Sequence, residues 1–372
     1  MPLNGWATLE GTARYRQRLK DRTDANHFRL EQNLWLSSIG MGTYLGNADE
    51  ATDERYTEAA VAAVSMGANL IDTAANYRFQ RSERSIGAAL EHLIQAGTCA
   101  RDEVVICTKG GYLPFDGAPP KDVRRYVEET FVRTGIAQFS DFVGGSHCIR
   151  PRYLQSQIDQ SLANLKLNSL DVYYIHNPES QLSAISREEF ETRLRAAFEL
   201  LEQTVAGGKI RTYGVATWNG FRASQDARGY HSLERMVGLA REVGGAEHGF
   251  RFIQLPFNLA MPEALTTTNQ TLEGEQVSLL EAARALGVTV VASASILQGK
   301  AAHGLSEEIR EPLGSLATDA QTAIRFVRST PGITTALVGM SRAEHVEENL
   351  QLARVAPTPV EDYQRLFAGP EE

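Results

Sequence analysis

The chain has 372 residues, with 37 Lys+Arg against 46 Asp+Glu for a formal charge of −9, and 42% of its residues are hydrophobic. That is enough apolar material for a sizeable core, and the acidic balance argues against a general nucleic-acid or anionic-membrane binder. No apolar run approaches the ~20 residues of a membrane span. Residues 1–20 are polar and mixed, without a signal-peptide core. Cys99, Cys107 and Cys148 form neither a CxxC pair nor an even disulfide set, so a protein of a reducing compartment, the cytoplasm, is expected.

In chain order, Phe28–Leu34 is a short alternating stretch, a candidate hairpin closing the bottom of a barrel. Strand-like runs follow at Leu36–Gly42, Ala68–Ala74, Val104–Gly110, Leu170–His176, Ile210–Thr217, Phe252–Phe257, Val288–Ser295 and Thr335–Met340. Most are continuously apolar, as parallel strands covered on both faces require. Helical periodicity separates them at Asp53–Met66, Ser82–Ala96, Tyr153–Leu165, Glu188–Ala206, Leu233–Val243, Leu279–Leu286 and Ala320–Arg328. A βα unit repeated eight times predicts one (β/α)8 barrel spanning residues 1–372. No GxGxxG follows any strand, which weakens an open doubly wound sheet. Leu113–Arg150, between the third strand and its helix, is too long for a plain connection and is expected to be a lid over the substrate. Arg342–Leu352 and the tail to Glu372 supply extra C-terminal helix, with Glu361, Asp362, Glu371 and Glu372 as solvated charges.

Barrel active sites lie at the C-terminal strand ends. There the second strand gives Asp72 and, five residues on, Tyr77; the third gives Lys109 and the fourth His176. An ammonium beside a phenol favours the phenolate, a carboxylate holds the ammonium, and a neutral imidazole can donate to a carbonyl oxygen. The set suits proton transfer at a carbonyl or alcohol oxygen and holds no activated Ser–His nucleophile. His147 and Cys148 have no HxH partner or second clustered Cys, so no metal is expected.

These motifs resemble the aldo-keto reductases. Gly40-Met41-Gly42-Thr43, Ile71-Asp72-Thr73-Ala74 with Tyr77, Ser82-Glu83 with Gly87, Thr108-Lys109, Tyr174-Ile175-His176-Asn177-Pro178, Ile253-Gln254, and Val338-Gly339-Met340-Ser341 with Glu348-Asn349 stand in family order from about residue 28 to 352. The resemblance implies hydride transfer between NADPH, in preference to NADH, and an aldehyde or ketone. It makes Tyr77 the general acid, Lys109 the group that depresses its pKa, Asp72 the anchor of Lys109 and His176 the group that orients the carbonyl. It places the cofactor along Gly42, Thr43 and Tyr44, with Asp72, Thr217, Asn219 and Gln254 at the nicotinamide end. Ser293, Leu297, Gln298, Gly299 and Lys300 follow the seventh strand. Gly339, Met340, Ser341, Arg342, His345, Glu348 and Asn349 follow the eighth, and Arg342 is the candidate for the adenosine 2′-phosphate.

Two positions depart from the commoner family pattern. Ala292-Ser293-Ala294-Ser295 carries no aromatic to stack under the nicotinamide, and His345 stands where many members have an arginine. Two other functions fit the same residues: a cofactor-sensing regulatory protein with little turnover, and a redox-neutral lyase or epimerase with retained cofactor. Substrate choice is expected to sit in Leu113–Arg150, Asn177–Ile185, Trp218–Tyr230 and the C-terminal tail, with Tyr112, Phe115 and Trp218 as an aromatic wall.

Overall fold

Eight parallel strands close into one barrel in the computed structural model, which describes residues 2–314 and 316–367. The strands are β1 Ile39–Gly42, β2 Leu70–Asp72, β3 Val105–Gly110, β4 Leu170–His176, β5 Ile210–Ala216, β6 Phe250–Pro256, β7 Thr289–Ser293 and β8 Ile333–Gly339. Each pairs with its sequence neighbour, and β8 pairs with β1. Every residue of β2, β3 and β4 is buried, the outcome expected of continuous apolar runs.

Helices follow the strands at Glu50–Met66, Arg81–Gln95, Pro151–Leu165, Arg187–Ala206, Leu233–Gly244, Leu279–Ala285, Asp319–Ser329 and Ala343–Leu350. Their starts are locally encoded. Asp49, Ser186, Ser232, Ser278 and Thr318 each accept a hydrogen bond from a backbone N–H in the first turn. Gly67 ends the first of these helices in the left-handed region.

The strand period of two decides which residues reach the mouth. Leu70, Cys107, Tyr174 and Phe252 pack together inside the barrel with Val105, Val172, Val291 and Leu337. Asp72, Lys109, His176 and Gln254 each stand two residues further along the same strands, so they point to the same interior one layer higher. Ladder register keeps them level: Gly42 pairs with Asp72, Lys109 with Tyr174, His176 with Ala216, and Ala216 with Gln254.

At the other end, Phe28–Glu31 and Leu34–Ser37 form the expected hairpin, and Leu34 and Leu36 join the interior cluster from below. The first strand therefore begins later than expected. Leu36 and Ser37 belong to the hairpin, and the chain turns at Ser38 before Ile39 enters the barrel. Apolar content alone cannot mark that break. The polar contacts that make it are Ser37 N–H to Asn69 Oδ1 at 2.9 Å and Ser38 N–H to the His27 carbonyl at 2.7 Å.

Several elements were not anticipated from the sequence, among them short helices at Glu263–Thr266 and Glu307–Arg310. Helix Leu9–Leu19 is capped by Thr8 and buries Tyr15 and Leu19. Gln270–Leu272 and Glu275–Val277 form a small hairpin. The segment after β3 contains a helix, Val123–Val127, which runs on as a wide turn through Val132. None of residues 113–150 lines the cleft over the barrel mouth. The segment's Leu113, Val127, Phe131, Phe142 and Cys148 gather with Tyr153 into an apolar cluster of their own. Glu361 and Asp362 fall in the short helix Val360–Gln364, where Glu361 is exposed, Asp362 half-buried and Tyr363 buried, whereas Glu371 and Glu372 lie outside the described residues.

Candidate active site

Lys109 is the centre of the polar layer. Its buried Nζ lies 2.5 Å from Asp72 Oδ2, 2.9 Å from the Thr73 carbonyl and 3.2 Å from the Tyr77 hydroxyl. Gln254 donates to the other Asp72 oxygen at 2.7 Å. The Tyr77 ring meets the His176 ring edge-on with centroids 5.8 Å apart, and Tyr44 flanks it on another side at 5.0 Å. The four predicted catalytic residues thus come together.

Burial and charge oppose one another here. Burial favours neutral Lys109, yet the Asp72 carboxylate holds its ammonium above the usual lysine range. Burial likewise pushes the Asp72 carboxyl up, against the pull of Lys109 and Gln254. Both Asp72 oxygens face donors, so the ionised pair is the state this geometry supports. Burial raises the Tyr77 phenol, and the Lys109 charge lowers it. The net shift is upward. Lys109 acts in the expected direction, but desolvation of the ring is the larger effect. Burial, then Lys109, drives the His176 imidazole well below the usual histidine range, so it is neutral.

A support that sequence reasoning missed lies just behind Tyr77. Arg78, Phe79 and Gln80 are all left-handed, with φ of 46°, 58° and 71°. Such residues cost about 1–2 kcal/mol each unless their surroundings hold them. Buried Arg78 supplies the hold: its guanidinium reaches Ser82 Oγ at 3.1 Å, Ser85 Oγ at 3.1 Å and Asp53 Oδ1 at 2.5 Å, over the Tyr56 ring. Ser82 in turn donates to the Thr43 carbonyl at 2.8 Å, tying the Tyr77 turn to the loop after β1. No sequence signal marked Arg78, because positive φ at an arginine has no local signature.

A cleft of about 660 Å³ opens over this cluster. Of the predicted cofactor residues, Gly42, Thr43, Tyr44, Asp72, Thr217, Gln254, Ser293, Gln298, Gly299, Gly339, Ser341 and His345 line it. Asn219, Leu297, Lys300, Met340, Arg342, Glu348 and Asn349 do not. Met340 is fully buried, and Glu348 accepts from Thr318 Oγ1 at 2.7 Å, a contact that joins two helices. Arg342 is exposed at the residue before helix Ala343–Leu350, with no side-chain capping bond and no ion pair among the described residues. Gln254 spends its amide nitrogen on Asp72, which leaves its carbonyl oxygen for the cleft. Thr217 Oγ1 is buried at the cleft wall without a partner among the described residues. Of the expected aromatic wall, Tyr112 and Trp218 line the cleft, but Phe115 packs against Phe79 and Tyr126 instead. Glu179 fixes the Trp218 loop by accepting the Trp218 and Asn219 N–H groups at 2.6 and 3.0 Å.

Among the described residues no group of three or more His, Cys, Asp or Glu could hold a metal ion. No described helix is long and apolar enough to cross a membrane.

Fold and site together define a (β/α)8 barrel with a lysine-linked tyrosine at its C-terminal mouth. The model of the Aldo/keto reductase family matches residues 38–368, and the chain belongs to that family. It is 28% identical over 200 residues to D-threo-aldose 1-dehydrogenase of Pseudomonas sp, covering 50% of this chain and 51% of that one. It is 29% identical over 159 residues to 6-dehydroglucose reductase of Novosphingobium aromaticivorans, covering 42% and 40%. The matched stretch thus spans about half the length of these relatives or less. The fold is similar to that of an aldo/keto reductase from Klebsiella pneumoniae solved with NADP and acetate. That likeness has a TM-score of 0.61 at 19% identity and covers 94% of this chain and 97% of that one.

Proposed function

We propose that this protein reduces an aldehyde or ketone, or oxidises the matching alcohol, with NADPH as hydride carrier. The observation that carries this reading is the chain of contacts from Asp72 through Lys109 to the Tyr77 hydroxyl, set at the floor of an open cleft. The related proteins named as reductases and an aldose dehydrogenase support it.

The residues fit a nicotinamide dinucleotide. Thr217 Oγ1 and the Gln254 carbonyl oxygen are free polar atoms for an amide. Gly339, Ser341 and His345 lead from the cleft to the start of helix Ala343–Leu350, where N–H groups await an anion. Arg342 stands beside them for the 2′-phosphate. When bound, the dinucleotide supplies or accepts the hydride.

The chain's own residues handle the proton. In reduction, Tyr77 passes its hydroxyl proton to the carbonyl oxygen, and Lys109 stabilises the phenolate left behind. Asp72 keeps Lys109 charged and in place. Neutral His176 orients the carbonyl oxygen toward Tyr77. A pKa lifted by burial keeps Tyr77 protonated until that transfer, so it enters the reaction as an acid.

Fluorescence titration of the purified protein with NADPH and NADH, followed by a carbonyl screen, tests the reading. Saturable binding with turnover of a carbonyl is expected. Absence of binding by reduced and oxidised forms alike would refute it.

A further inference from the structure

We infer that His147, in the 113–150 segment, is a positioning residue that sets the catalytic His176 through its main-chain carbonyl. This inference rests on the proposed role of His176 in the cleft.

Within that segment His147 is the side chain that touches the catalytic layer. Its Nε2 lies 2.7 Å from the His176 carbonyl oxygen. A carbonyl can only accept, so Nε2 carries the proton. Burial keeps the ring neutral by pushing its pKa down to about 4. Nδ1 must then be an acceptor, and Gln181 Nε2 donates to it at 2.8 Å. The Gln181 amide is itself oriented, because its Oε1 accepts from Arg193 at 2.9 Å and a guanidinium can only donate. The relay from Arg193 through Gln181 and His147 to His176 therefore has one proton arrangement. That is how partners behind a functional group fix its tautomer and direction.

The same ring steers a second wall of the site. Tyr112 meets His147 edge-on at 4.8 Å and His176 edge-on at 5.1 Å, so its ring is held between the two histidines while it lines the cleft. Its hydroxyl contacts Ser180 Oγ at 3.0 Å and Asn177 Nδ2 at 3.2 Å, both on the loop after His176. Gly111 makes the close approach possible. A Cβ there would lie 2.9 Å from His147 Nε2 and 3.1 Å from the His176 oxygen, at a φ of +143°. The segment's apolar cluster, which includes Cys148 next to His147, anchors the ring in place. The segment thus acts on the site from behind.

Two variants and three readouts test this. His147→Phe keeps an aromatic ring but removes both polar contacts. His147→Gln restores a donor near the Nε2 position. We expect kcat to fall about 10- to 100-fold in His147→Phe, the scale of a misplaced catalytic group, with unchanged NADPH affinity by fluorescence. His147→Gln should recover most of it. Equal kcat in wild type and His147→Phe overturns the inference, as does a loss of kcat that His147→Gln does not relieve although its melting temperature matches wild type. The third readout needs no turnover: the imidazole ¹⁵N resonances of His176, assigned by their loss in His176→Asn, should shift in His147→Phe and return in His147→Gln. If no carbonyl is turned over, the proposed reaction fails while this readout still decides the coupling. Unmoved His176 resonances in His147→Phe overturn it.

Discussion

Lys109 Nζ bridges Asp72 Oδ2 at 2.5 Å and the Tyr77 hydroxyl at 3.2 Å, so one buried ammonium serves both a carboxylate and a phenol. The bridge makes the phenol the group to remove first. Tyr77→Phe keeps the ring contacts with Tyr44 and His176 and deletes only the proton donor. We expect turnover to fall by about 10²- to 10⁴-fold, with cofactor affinity unchanged. Steady-state kinetics beside a fluorescence titration would show it, and undiminished turnover would sink the acid role of Tyr77.

Removing the ammonium should cost stability as well as activity. Lys109→Met leaves the buried Asp72 carboxylate with Gln254 as its remaining side-chain donor. An uncompensated buried charge of this kind costs about 3–5 kcal/mol. Lys109→Met combined with Asp72→Asn should cost less than the sum of the single changes, because the stranded charge is gone. Urea unfolding of the three variants measures this, and strict additivity would mean that the pair is not coupled.

Arg78 is expected to matter without touching the cleft floor. Arg78→Met removes the contacts to Asp53, Ser82 and Ser85 that hold three left-handed residues behind Tyr77. The partners left buried should lower stability by about 1–3 kcal/mol, and kcat should drop as the Tyr77 turn loosens. Arg78→Lys should rescue little, since one ammonium cannot serve that fork of acceptors. Full rescue by lysine would argue for charge alone.

Stability should decline in mild acid. Burial depresses His27 to about 3 and His147 to about 4, against an ordinary value of 6.5. Between those values the unfolded chain binds protons that the folded chain refuses. The contribution is therefore complete above about pH 6.5 and is lost as pH falls toward 4 and 3. At pH 5 each histidine should cost about 2 kcal/mol relative to neutral pH. Urea midpoints from pH 7 to pH 5 provide the check; a flat profile would mean that these rings are not held neutral by burial.

Arg342 offers a test of cofactor choice. Arg342→Ala should weaken NADPH binding about tenfold or more, the worth of a charge-assisted contact, and leave NADH affinity unaltered. Equal losses for both dinucleotides would assign Arg342 to a group the two share.

The sequence by itself determined the repeat and the polar residues at the strand ends. The alternation of apolar runs with helical stretches is carried by neighbouring residues, so all eight barrel strands and their helices were legible. The strand ends then placed Asp72, Lys109 and His176 on one rim, and the layer of Leu70, Cys107, Tyr174 and Phe252 beneath them came with the closed barrel. What adjacent residues do not encode was left to the tertiary structure. Where the apolar side chains of 113–150 find partners is one such matter, and they found one another and Tyr153. That choice left Phe115 out of the cleft and brought His147 onto His176. The left-handed turn at Arg78 is paid for by Asp53, 25 residues away. The net direction of the Tyr77 proton affinity rests on burial by the whole fold against one nearby charge. Desolvation and long-range hydrogen bonds such as Asp72 to Gln254, 182 residues apart, exist only once the barrel has closed.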